Sequence, residues 1–145
     1  MIDVEVTGTL PEVEPQALED MMDKIAQMMI DGVRLQFIMG GDPKWTPLKS
    51  GEASFLFRGG ALLQSIVKST DQDGEVYTAT VSTSGGIPYR FIHQFGGYAG
   101  RNHSAYIPER PYMVITEETE NAIRREALGR ILNIFRPQPI EKVNG

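Results

Sequence analysis

Two histidines ten positions apart, His93 and His103, flank a glycine-rich loop, and Glu109 follows six residues later. Two imidazoles and a carboxylate are a donor set that zinc accepts, but this spacing matches no known ligand pattern. Among Phe91, Ile92 and Phe95, His93 has the simpler role of packing and hydrogen bonding. A catalytic histidine needs a nucleophile and an orienting acid. Ser65, Ser82, Ser84 and Ser104 are available, yet none stands in a Gly-x-Ser-x-Gly elbow. The pairs Gly40-Gly41, Gly59-Gly60, Gly85-Gly86 and Gly96-Gly97 fall outside both phosphate-binding glycine patterns, so caps and turns explain them better. Arg90, Arg101 and Arg110 suit an acidic partner or a phosphate, and equally a solvated loop. The residues therefore predict no catalytic site, no cofactor and no metal.

A chain of 145 residues without cysteine is one domain's worth, and it excludes disulfides, thiolate catalysis and any cysteine-built zinc site. We expect a single domain over residues 1–136 and a flexible tail over 137–145, after Pro137 and Pro139. The start lacks a basic segment followed by an apolar one, which predicts no secretory signal, and no apolar run approaches membrane-spanning length. A net charge of −5 argues against broad nucleic-acid binding. The charge is polarised. Eight carboxylates oppose Lys24 alone between Met1 and Asp31, whereas Arg90, Arg101 and Arg110 oppose only Glu109 between Ser84 and Val114. Such ends can pair head-to-tail between copies, or remain two solvated surfaces.

The elements that must position these residues follow from periodicity. Ile2, Val4 and Val6 alternate with polar residues, which predicts a half-buried strand. Pro15 to Met39 predicts a long helix: Leu18, Met21, Ile25, Met28, Gly32 and Leu35 form its stripe, widened by Met22, Met29 and Val33. Its methionines suit a core, or an adaptable binding surface. Trp45 sits in a turn-rich segment and is expected to pack over a neighbouring element. Ala61 to Val67 reads as a short helix running into extended chain, Asp73-Gly74 as a hairpin turn, and Glu75 to Thr83 as a strand with Tyr77, Ala79 and Val81 on one face. Phe91, Ile92 and Phe95 predict a two-turn helix with one buried side, stopped by Gly96. Tyr98 to Arg110 reads as a mobile arm, and Tyr112 to Ile115 as a strand or extended chain. Thr116 caps a last helix with Ile123, Ala127, Leu128, Ile131, Leu132 and Phe135 inside. The fold class is α+β: a small antiparallel sheet with two long helices on one face, short helices and an extended arm.

Four motifs occur in order: Trp45-Thr46-Pro47-Leu48, Gly60-Ala61-Leu62-Leu63-Gln64-Ser65-Ile66, Tyr89-Arg90-Phe91-Ile92-His93-Gln94-Phe95-Gly96-Gly97, and Ile107-Pro108-Glu109-Arg110-Pro111-Tyr112. Together they resemble the phage virion morphogenesis family, the tail-completion proteins typified by the G protein of Mu-like phages. The resemblance implies a structural, non-enzymatic subunit of a phage or prophage, acting in tail completion or head–tail joining and located in the virion after assembly in the host cytoplasm. It implies as partners other copies of the chain in a homo-oligomeric ring and the tail or neck proteins, with no membrane and no specific nucleic acid. Tyr98, Arg101, His103 and Arg110 are the expected interface residues. Two other readings stay open on the residues alone: a small cytoplasmic enzyme using His93 with Glu109 or Arg110, and a prophage partner-binding module that never enters a particle.

Overall fold

In this computed structural model, which describes residues 2–7, 15–47, 60–86 and 90–134, strand β1 spans Ile2–Thr7 and helix α1 spans Pro15–Met39. Pro15 opens the helix where a missing N–H costs nothing. Beyond Met39 the Gly41 N–H turns back to the Gln36 carbonyl at 2.9 Å, the closure that a left-handed Gly40 permits. The buried side keeps Leu18, Met21 and Ile25 of the expected stripe but is rotated toward the residues that widen it. Met22, Met29, Val33 and Phe37 are its centre, while Leu35 is 46% exposed. Apolar residues cover more than half of this helix's circumference, so periodicity gives a wide stripe and only the neighbours select its middle. Met21, Met22 and Met29 are wholly buried, which makes them core residues.

The short helix α2 (Ala61–Gln64) leads into β2 (Ile66–Asp73), and a two-residue loop with a left-handed Gly74 returns the chain as β3 (Val76–Thr83). The sheet order is β1-β3-β2, antiparallel throughout, with Ile2 opposite Val81 and Ile66 opposite Thr83. Ala79 and Val81 point into the core as their alternation requires, with Tyr77 half-buried on the same face. α1 lies across this face.

A second sheet follows. Helix α3 (Arg90–Phe95) gives way to β4 (Gly97–Ala99), a tight turn at Arg101–His103, and β5 (Ala105–Ile107). The expected mobile arm is thus a β-hairpin with Tyr98 opposite Tyr106. Tyr112–Ile115 carries no strand pairing. Helix α4 (Glu117–Ile134) begins as expected: the Thr116 hydroxyl accepts the Thr119 N–H at 3.2 Å, and Glu117, Glu118 and Glu120 fill its first turn. It crosses α1 at Gly32, where a Cβ would come within 3.0 Å of the Thr119 methyl. Ile123 is buried and Ala127 and Ile131 pack on the core, but Leu128 and Leu132 face outward. One neighbouring helix covers only a narrow strip of α4, so the outer half of its stripe stays bare. Phe135 and the expected tail at 137–145 lie outside the described residues. The architecture is α+β.

Candidate functional site

Described residues of three of the four motifs, those around Trp45, Gln94 and Arg110, meet in one place just beyond the C-terminal end of α1. The Trp45 side chain lies edge-on to Phe37, with ring centroids 6.0 Å apart, and Tyr112 also packs on Phe37, tilted, at 5.4 Å. The indole N–H donates to the Pro111 carbonyl at 3.0 Å, and the Arg110 Nε–H donates to the Thr46 carbonyl at 3.1 Å. These two bonds run in opposite directions between the Trp45 loop and the Arg110–Pro111 segment. Gly41 is left-handed (φ 90°) with its α-carbon face against the indole, so a Cβ there would overlap the ring. Buried Gln36 holds this loop from α1, its side-chain oxygen accepting the Asp42 N–H at 2.9 Å.

α3 is fastened to the same segment. The side-chain oxygen of Gln94 accepts two backbone N–H groups, from Tyr112 at 3.1 Å and Met113 at 2.9 Å. The Arg110 N–H donates to the His93 carbonyl at 2.7 Å, and the Tyr112 hydroxyl to the Arg90 carbonyl at 3.0 Å. Gly96 ends the helix with φ 69°, and a Cβ there would meet the Glu109 nitrogen at 2.8 Å. Only glycine supplies both that backbone conformation and that closeness.

What this node carries is aromatic and exposed. Phe91 and Phe95 are 60% and 70% exposed, against their expected burial, and of the three residues expected inside only Ile92 is half-buried. Residues 92, 93 and 94 face the chain instead, because Gln94 and the backbone of His93 are engaged by the 110–113 segment. Tyr98 and Tyr106 also face solvent, their rings edge-to-face at 5.4 Å. The Arg90 guanidinium covers Phe91 at 4.6 Å while donating to the Gly85 carbonyl at 2.8 Å.

Of the expected interface residues, Tyr98, Arg101 and His103 are together on the hairpin and exposed. Arg110 is not with them. It is 6% exposed and bonded to the Trp45 loop, so it acts as an internal clamp rather than a free cation. Of the motif residues, Pro47 is exposed and Pro108 and Pro111 are half-buried, whereas Leu48 and Tyr89 lie outside the described residues. Sequence reasoning missed Gln36, Phe37 and Tyr106. Tyr106 had a signal: it and Tyr98 stand four residues either side of Asn102, the symmetry of a hairpin. Gln36 had none, since a polar residue on a helix's inner face is told from a solvated one only by its partner.

Among the described residues, no group of three or more His, Asp and Glu side chains lies close enough to hold a metal ion. Nor is any helix long and apolar enough to cross a membrane. Burial, then the neighbouring Arg110 charge, lowers the His93 pKa below its ordinary 6.5. Burial likewise lowers that of Arg110 and raises that of Tyr112. For His93 the unfolded chain binds the proton more readily than the folded one. Its contribution to stability is therefore present above pH 6.5 and is lost as the pH falls below it. Thermal melts between neutral and mildly acidic pH should show a steeper loss for the wild type than for His93→Gln, and equal slopes would remove His93 from this role.

The sequence profile of the phage virion morphogenesis family matches residues 5–133. The Mu-like prophage FluMu G protein 2 of Haemophilus influenzae is 36% identical over 100 residues, which are 69% of this chain and 68% of that protein. No solved structure matches.

Proposed function

The chain belongs to the phage virion morphogenesis family, and from that premise we propose that it is a structural, non-catalytic subunit completing the tail or joining it to the head. In this reading it works as a ring of identical copies in the virion, in contact with tail or neck proteins. The observation that carries the reading is the exposed aromatic surface of Phe91, Phe95, Tyr98 and Tyr106, mounted on a hydrogen-bonded node built from the motif residues. Aromatic side chains supply large contact area at low conformational cost, and a pre-organised mount lowers the cost of binding further. A subunit that closes a particle joint needs this combination. An enzyme would need converging polar groups in a pocket, and the node's polar groups are occupied with one another.

The test is deletion of the gene in the intact phage. Filled heads and separate tails should accumulate, and the wild-type gene supplied from a plasmid should restore particles. Normal yields of joined, infectious particles without the protein would exclude the role.

A further inference from the structure

We infer that the aromatic hairpin of one copy docks into an acidic groove of the next, a contact that rests on the assembly reading above and specifies its geometry. The groove, about 530 Å3, lies between the first turns of α1 and the outer end of β2. Glu19, Asp20, Asp23 and Asp71 rim it, and Met22 and Tyr77 line it. Lys68 pairs with Asp23 at 3.3 Å and Gln16 donates to Asp20 at 2.9 Å. Glu19 and Asp71 have no ion pair among the described residues.

The hairpin is its complement. Its tip carries Arg101 and His103, both exposed, and Arg101 has no ion pair among the described residues. Its face carries the Tyr98–Tyr106 pair, which suits the half-buried Tyr77 ring in the groove. A cationic tip beside an aromatic pair matches an acidic groove that also holds Tyr77.

The occupant is the hairpin of a second copy rather than the chain's own, because the two surfaces sit at opposite ends of α1. The node that holds the hairpin packs on Phe37, whereas the groove lies at Glu19–Asp23. At 1.5 Å per residue, the helix between them spans roughly 25 Å, too far for the hairpin's three-residue strands to fold back. A contact between unlike ends is heterologous, and repeated around an axis it closes a ring.

Two variants test the pairing in sedimentation velocity over a rising concentration series. The hairpin variant is Tyr98→Ala with Arg101→Ala; the groove variant is Glu19→Lys with Asp71→Lys. All four side chains are exposed, so both variants should melt with the wild type. The wild type should assemble, each variant alone should remain monomeric, and an equimolar mixture should form a heterodimer that grows no further. One sound hairpin then meets one sound groove and both remaining faces are dead. The absence of native cysteine allows a second measurement in otherwise intact protein. Ser104→Cys mixed with Glu19→Cys should give a cross-linked dimer on oxidation, and either alone should not. Wild-type assembly by either variant, a monomeric mixture, a monomeric wild type at every concentration, or no mixed cross-link would each overturn the docking. The particle phenotype of the gene deletion is independent of these results, so loss of this contact and loss of the assembly role are told apart.

Discussion

Trp45→Ala is expected to lower stability by roughly 3–5 kcal/mol, the usual cost of emptying a large aromatic site in a core. The indole is 7% exposed, edge-on to Phe37, closed over by Gly41 and bonded to the Pro111 carbonyl. Alanine removes the ring contacts and the indole donor together, leaving that carbonyl without its partner. For a chain of this size about 3 °C is lost per kcal/mol, so the melting temperature should fall by roughly 9–15 °C. Trp45→Phe keeps most of the volume and loses the donor, and should recover most of the deficit. A melt within about 1 kcal/mol of the wild type for Trp45→Ala would show that the indole is not a core anchor.

Gln94→Leu should cost roughly 2–6 kcal/mol, since each N–H withdrawn from solvent and left without an acceptor costs about 1–3 kcal/mol and this side chain serves two. Both belong to the segment that fixes α3, at Tyr112 and Met113. The chemistry predicts a rescue: Gln94→Glu retains an oxygen in the same place and should lose much less. Hydrogen exchange gives the local readout. The Tyr112 and Met113 amides should exchange faster in Gln94→Leu, and protection equal to wild type would mean that another acceptor serves them. Because the node mounts the aromatic surface, this variant should also weaken self-association, whereas Leu128→Ser on the outer face of α4 should leave the node intact.

The sequence alone determined the elements whose causes are local. Both ends of α1 follow from Pro15 and the left-handed glycines after Met39, the β2–β3 hairpin from Asp73-Gly74, the start of α4 from the Thr116 hydroxyl, and the stop of α3 from Gly96. Each rests on a backbone conformation or a cap settled within a few residues. The four ordered motifs also indicated the family, since types and order survive without coordinates. Side-chain direction was another matter. The spacing of Phe91 and Phe95 fixes one face of a helix but not which way that face turns, and Gln94, bonded to residues 18 and 19 positions away, turned it outward. Arg110 looks identical in sequence to a free cation such as Arg101. Its inward course depends on the Thr46 carbonyl 64 residues earlier, and the anchoring of Trp45 on Pro111, 66 residues later. The same holds for the placement of β1 beside β3 rather than β2, which joins residues 69 to 79 positions apart. Interactions of that range carry no local signature, because either partner alone is compatible with several surroundings, and only the packed chain selects among them.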